Sequence, residues 1–192
     1  MSAEPQAPRL DTELDPDLTT DRLVLRLPEP SDAPALLAAL NDWQVAATLA
    51  RLPHPYELAH ARSWIDGRES DPLPHWLITA ARDGGVLGGI GLKDEVGGRL
   101  EVGYWIARAQ WNKGYAGEAL DAVLAHCFGP LALDEVWSGH FADNAASRRV
   151  LLRSGFQPAG SEPTFCVARG CTLDTLLLRI TPKSWVRWRP ER

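Results

Sequence analysis

Leu23 and Leu25 alternate with charge across Thr20-Asp21-Arg22-Leu23-Val24-Leu25-Arg26, a period of two that predicts a half-buried strand. Pro28 and Pro30 stop it. Ser31 then has the chemistry of an N-cap, ahead of a helix carrying Ala35, Leu36, Leu37 and Leu40. A second helix is predicted from about Tyr56 to Ile65, with Leu58, Ala61, Trp64 and Ile65 on one face. Three strands follow: Trp76 to Ala80, Val86 to Leu92 after the turn Arg82-Asp83-Gly84-Gly85, and Leu100 to Ile106 after Gly97-Gly98. Asp-Gly between apolar runs is a strong hairpin signal, so these strands predict an antiparallel meander.

The clearest helical pattern comes next, with Ala116, Ala119, Leu120, Val123, Leu124, Cys127 and Phe128 on one face and Gly129-Pro130 ending it. Leu133 to Phe141 predicts a strand, and Ala145 to Ser154 a short helix capped by Asp143 or Asn144 and closed by Gly155. Thr164 to Ile180 predicts a hairpin around Arg169-Gly170. Residues 1–18 hold three prolines, five acids and one basic residue, Arg9, with no apolar period. They predict a tail. The organisation expected is a tail at 1–18, one domain at 19–182 and a short C-terminal tail at 183–192. Its class is α/β, of the α+β type, with a mostly antiparallel central sheet flanked by helices.

Composition narrows the function classes. The chain has 192 residues, 45% hydrophobic and 23% charged, which fits one globular domain and excludes disorder as its main state. A net charge of −5 argues against nucleic-acid or membrane binding through net charge. No apolar run approaches the roughly 18 residues of a membrane span. The opening M-S-A-E-P-Q-A-P lacks the basic start and apolar stretch of a signal peptide. Cys127, Cys166 and Cys171 have no zinc-site spacing. A cytoplasmic protein with no metal, no membrane partner and no direct nucleic-acid partner is expected.

The segment richest in chemistry runs from Glu101 to Ala119. Its glycine-containing turn from strand to helix leaves backbone N–H groups unpaired at the positive end of a helix, a ready phosphate site. Gly114, Ala116 and Gly117 lack bulk where a pyrophosphate would approach. Neither the Walker A loop nor the dinucleotide-binding glycine fingerprint is present. Alternation puts Glu101, Gly103 and Trp105 on one strand face and Val102, Tyr104 and Ile106 on the other. An acid on an otherwise apolar strand is costly unless it lines a wet cleft or has a partner. In a cleft it is a candidate general base for an amine; otherwise it pairs with Arg99 or Lys93. Gly103 would allow a bulge that frees an amide, from about Tyr104 to Ile106, to hold an oxyanion.

Three segments resemble a known family. E-V-G-Y-W-I at 101–106, W-N-K-G-Y-A-G-E-A-L at 111–120 and D-N-A-A-S-R-R-V-L-L-R-S-G-F at 143–156 look like the GNAT superfamily of acetyl-CoA-dependent N-acetyltransferases. With T-D-R-L-V-L-R-L-P-E-P-S-D-A at 20–33, the resemblance is closest to the branch of the ribosomal-protein N-terminal acetyltransferases RimJ and RimL, and it covers about residues 19–180. It implies a sheet splayed at an acetyl-CoA site. The backbone from Asn112 through Lys113, Gly114, Tyr115 and Ala116 to Gly117 would cradle the pyrophosphate, and Asn144 would contact the pantetheine arm. Tyr104, Trp105 and Ile106 would border the acetyl end.

Two positions depart from the family pattern. Trp111 stands where the loop usually has Gln or Arg, with Gln110 one residue early. Leu151 stands where many members carry the tyrosine that protonates the departing thiolate. Ser147, one helical turn after Asn144 and matching the serine of this branch, is the candidate to assist the sulfur instead; a first-turn helix serine is its plainer reading. His140 is a candidate second base or a hydrogen-bonded strand histidine. His54, His60, His75 and His126 lack metal spacing. Cys166 and Cys171 flank the last turn and could face each other there, with free thiols the default. Trp43, Trp64 and Trp76 suit either the acceptor side or the core. The loops Asn41–Pro55 and Pro72–Trp76 would decide the acceptor.

The function expected is transfer of acetyl from acetyl-CoA to a primary amine, foremost a protein or peptide N-terminal α-amine. A small-molecule amine as acceptor and a non-catalytic acyl-CoA-binding module are the alternatives, and a homodimer is left open.

Overall fold

The computed structural model describes residues 17–68, 73–95 and 99–188. The turn at Gly97-Gly98 and nearly all of the N-terminal tail lie outside them. In chain order the elements are β1 (Leu18–Thr19), β2 (Leu23–Arg26), α1 (Ala33–Leu40), α2 (Trp43–Ala46), α3 (Leu58–Arg68), β3 (His75–Ala80), β4 (Val86–Glu95) and β5 (Arg99–Ile106). Then come α4 (Tyr115–Phe128), β6 (Val136–Phe141), α5 (Ala145–Arg153), β7 (Gln157–Cys166), β8 (Cys171–Ile180) and α6 (Pro182–Trp188). The strands form one sheet in the order β1-β2-β3-β4-β5-β6-β8-β7.

Alternation sorts the core into two parts. Trp76 and Ile78 of β3 join the larger cluster, with Ala119, Leu120, Val123, Leu124 and Cys127 of α4 fully enclosed in it. Leu77, between them, faces the other way onto Leu36 and Leu40 of α1 and Ala61 and Ile65 of α3. Each enclosed leucine or valine contributes about 1.5–3 kcal/mol over leaving it in water. The sheet is thus covered by α1 and α3 on one face and α4 and α5 on the other.

Every strand pair is antiparallel except β5–β6, which is parallel and joined at Glu101↔Trp137 alone. Past that point the two strands part. The β4–β5 ladder meanwhile runs unbroken from Glu95↔Arg99 to Gly88↔Ile106, so the bulge expected at Gly103 is absent. The splay comes from β6 leaving β5, not from an extra residue in β5.

Other local expectations are corrected. Ser31 is not the cap of α1. A 3₁₀ turn, Pro30–Asp32, intervenes, and the Asp32 carboxylate accepts from the Glu29 N–H at 2.7 Å while Arg26 grips it through two bonds of 2.8 and 2.7 Å. α3 starts at Leu58, after Tyr56, and β6 starts at Val136. β7 reaches back to Gln157, beyond the hairpin expected from Thr164. Part of the expected C-terminal tail is α6, whose Trp185 packs against Phe128 with ring centroids 5.7 Å apart.

Candidate active site

A cavity of about 960 Å³ opens where β5 and β6 separate. Its floor is the β5 segment from Gly103 to Ile106, its far wall the β6 segment from Ser138 to Phe141, and its mouth the loop before α4. Val102 O accepts from Ser138 Oγ at 2.9 Å and Ile106 O accepts from Trp111 Nε1 at 2.8 Å, both across the side of β5 that faces away from β4. With a backbone period of two, Tyr104 turns its N–H and C=O to that same cleft, whereas Trp105 turns its backbone to β4. The Trp111 bond also accounts for the departure at this position: the indole ties the loop to the end of β5.

The loop before α4 takes left-handed backbone at two positions. Gly114 caps α4 with φ +81°, and Asn112 also takes a positive φ of 62°. A side chain at Gly114 would be conformationally costly whatever the space around it. The first-turn amides of α4 have no acceptors within the helix, as at any helix start. A Cβ at Gly117 would meet nothing within 4 Å, so the approach to these amides is open. Arg22 braces the loop from the bend just before β2: its Nε donates to Glu118 at 2.6 Å, its Nη1 to the Lys113 carbonyl at 3.1 Å, and its guanidinium lies over the Tyr115 ring.

Asn144 Oδ1 accepts from the Ser147 N–H at 3.1 Å, so Asn144 is the cap of α5 and holds Ser147 one turn inside. Ser147 Oγ lies 2.9 Å from the Tyr104 hydroxyl. Burial pushes that phenol up to about 12 despite the hydrogen bond to Ser147, so it is neutral across the ordinary pH range. Leu151 is fully enclosed in the core and does not line the cavity. His140 is buried in the cavity wall with Nδ1 2.8 Å from the Phe141 carbonyl. A carbonyl only accepts, so Nδ1 carries a proton and the other ring nitrogen, Nε2, is turned away from that bond. It has no hydrogen-bond partner among the described residues.

Glu101 is 93% shielded by the fold, and its Oε1 lies 3.1 Å from Lys93 Nζ at the cavity wall. Of the two pairings the sequence allowed, Lys93 is the one formed; Arg99 turns instead to Glu162 at 3.0 Å. Gly139 lies beside the carboxylate and makes room for Thr175. A Cβ there would sit 2.9 Å from Thr175 Cγ2 and 3.5 Å from Glu101 Oε1.

The model of the acetyltransferase (GNAT) domain matches residues 22–157. The chain belongs to the GNAT acetyltransferases. It is 30% identical over 167 residues to the uncharacterized N-acetyltransferase YoaA of Bacillus subtilis, covering 83% of this chain and 93% of that one. Its fold is similar to a GNAT-family acetyltransferase from Bacillus anthracis, with a TM-score of 0.77, 20% identity and 87% and 99% of the two chains covered. Mycobacterium smegmatis RimJ in complex with CoA-disulfide is similar at a TM-score of 0.72, with 22% identity over 84% and 82%. The protein is thus an N-acetyltransferase by family.

The acetyltransferase brings nearly all of the expected residues to one cavity: Glu101, Tyr104, Trp105, Ile106, Asn112, Gly114, Tyr115, Ala116, Gly117, Asn144 and Ser147 all line it. Lys113 does not; its ammonium bonds Gln110 Oε1 at 2.8 Å. Two features of the cavity suit an acyl-CoA: an open helix start behind a left-handed glycine, and a buried ring nitrogen, His140 Nε2, with no hydrogen-bond partner among the described residues. Among the described residues no group of three His, Cys, Asp or Glu side chains is placed to hold a metal, and no helix is long and apolar enough to cross a membrane.

The opposite wall was the least legible. It is the segment Trp43–Arg51 facing the β7–β8 hairpin, from which Glu162, Thr164 and Arg169 reach the cavity. Arg169 Nε donates to Ala47 O at 2.8 Å and its Nη1 to Asp143 at 2.6 Å, while the Val167 N–H donates to Ala50 O at 2.9 Å. The Arg169 hydrogen bond, with burial opposing it, holds the Asp143 carboxyl below the usual range. Of the three tryptophans weighed for the acceptor side, Trp43 lines the cavity, Trp64 packs against the α1–α3 cluster and Trp76 is core. The described part of the Pro72–Trp76 loop does not line it. Cys166 and Cys171 are opposite each other in register as free thiols, one buried and one exposed.

Proposed function

We propose that this acetyltransferase moves the acetyl group of acetyl-CoA to the N-terminal α-amine of a protein or peptide, with Glu101 as the base. The observation that carries the reading is a carboxylate shielded inside the cavity and already holding an ammonium, that of Lys93, at 3.1 Å. An acceptor's ammonium has the same chemistry and would compete for that carboxylate. An α-amine, with a pKa of about 7.7–8.0, gives up its proton near neutral pH far more readily than lysine at about 10.4.

Acetyl-CoA supplies a thioester, an acyl group joined to a good leaving group. The first-turn amides of α4 and the loop from Asn112 to Gly117 hold its pyrophosphate, and Asn144 and the free His140 Nε2 face its amide-bearing arm. Glu101 takes the amine proton, directly or through one water, as the C–N bond forms. The Tyr104 N–H, turned into the cleft, meets the charge that develops on the carbonyl oxygen. As the C–S bond breaks, its electron pair stays on sulfur beside Ser147, and the thiolate takes a proton from water on release. Three free thiols suit the cytoplasmic setting this function implies.

Release of free CoA, measured with a panel of peptides bearing free N-termini and a panel of small amines, tests the acceptor class. Turnover on free N-termini, abolished when they are blocked, is the expected result. Turnover confined to small amines would replace the acceptor and keep the enzyme.

A further inference from the structure

The tyrosine that many relatives place one helical turn beyond Ser147 is Leu151 here, and the packing leaves no side chain at 151 in the cavity. A different tyrosine reaches the same place from the sheet. Tyr104 projects from β5 toward α5, lines the cavity and sets its hydroxyl 2.9 Å from Ser147 Oγ and 3.3 Å from the Ser147 carbonyl. Two hydroxyls in contact share two protons, and their order decides what the pair can do. Where serine donates to the phenol, the phenol's one proton goes to the Ser147 carbonyl at 3.3 Å, and the pair only pins α5 to β5. Where the phenol donates to Ser147 Oγ, the serine proton is released for a third group. A phenol is the more acidic hydroxyl and thus the better donor of the two. Burial keeps it protonated, so that donation persists through the whole range in which a thiol titrates.

We propose that Tyr104 is a positioning residue, whose phenol donates to Ser147 Oγ and so turns the serine hydroxyl toward the sulfur of bound CoA. The inference rests on the reading that acetyl-CoA occupies this cavity. It requires no proton transfer between the pair: the sulfur keeps the electron pair of the broken C–S bond and accepts a hydrogen bond from Ser147. Tyr104 remains a neutral phenol throughout.

Free CoA is the probe, because it carries the sulfur and needs no acceptor. Calorimetry gives its affinity, and the ultraviolet absorbance of the thiolate, corrected for the protein alone, gives the ionisation of the bound thiol. In the wild type the thiol should titrate about one pH unit below the roughly 8.5 of an ordinary thiol, the effect of one hydrogen bond to its charged form. Tyr104→Phe and Ser147→Ala should each return it to the value of free CoA. The double variant should go no further, and CoA affinity at neutral pH should stay within about threefold. Replacing Tyr104 by 3-fluorotyrosine, which keeps the ring and strengthens the donor, should lower the thiol further, and it carries the test if the phenylalanine variant does not fold. A wild-type complex whose thiol titrates like free CoA overturns the inference. So does a Tyr104→Phe complex that matches the wild type. Failure of CoA to bind the wild type at all would overturn the cofactor reading and this inference with it.

Discussion

The two faces of β5 are one residue apart in sequence and do different chemistry. On the α4–α5 face, Tyr104 meets Ser147, and Val102 is sealed into the core; the polar groups are neutral, and the Tyr104 hydroxyl has a partner on α5. On the other face, Glu101 meets Lys93 beside Gly139; the groups are charged and open onto long side chains from the β7–β8 hairpin. The first face suits a ligand arm that must be gripped the same way every turnover. The second suits an incoming ammonium that must be admitted, deprotonated and released. The partial pairing of β5 and β6, at Glu101↔Trp137 alone, is what lets both faces address one cavity.

The contrast is broken most severely at the α4 loop. Gly114→Val places a β-branched residue at φ +81° and pushes its Cβ toward Arg22 Nη2, 3.5 Å away. CoA affinity by calorimetry should fall about 100-fold, the equivalent of roughly 2–3 kcal/mol of backbone strain; an unchanged affinity would remove the loop from the cofactor site. On the other side, Arg169→Ala deletes the bonds to Ala47 O and Asp143 that hold the hairpin over the acceptor wall. Acceptor KM should rise about tenfold, roughly the value of one or two hydrogen bonds, with CoA affinity within twofold; an equal loss in both would mean the wall is shared.

The smallest effect concerns stability. Burial alone would raise the Glu118 carboxyl, but hydrogen bonds from Thr20 at 2.6 Å and from Arg22 outweigh it and hold it below the usual carboxylate range. Its ionised form therefore stabilises the fold above pH of about 4.3, the unfolded value, and that contribution is lost as pH falls through the lower folded value. Glu118→Gln should cost about 1 kcal/mol in urea unfolding at pH 7, after allowance for solvent screening of half-exposed Arg22. The gap from the wild type should close once pH has fallen through the lowered folded value, where the Glu118 carboxyl is protonated in the folded and the unfolded state alike. A gap that persists there would mean the residue acts through packing.

Legibility in the sequence follows the same division. α4 could be read directly because five of its apolar positions face one core at helical spacing, and the start of α5 because a cap is local chemistry, which left Asp143 or Asn144 and which Asn144 fills. The acceptor wall could not. α2 is one turn long and shows no period, and β7 is disguised by Pro158, Gly160 and Pro163 and by a register shift after Pro158. The bonds that join these segments span more than a hundred residues, from Ala47 to Arg169 and from Ala50 to Val167. Nothing local encodes them. The Tyr104 side chain is hidden for another reason: alternation puts it on the face opposite Glu101, but its partner Ser147 comes from a separate helix, and nothing local encodes that meeting.

The division of labour is tested most directly by Glu101→Gln, assayed on the best acceptor of the amine panels alongside calorimetry with CoA. CoA affinity should stay within about twofold, while kcat/KM at pH 7 falls by roughly 10²–10⁴, the usual worth of a general base. That loss should shrink as pH rises past the amine's own value of about 8, where no base is needed. A variant that keeps its activity within twofold at pH 7, or one that loses CoA affinity in step with turnover, would contradict the account.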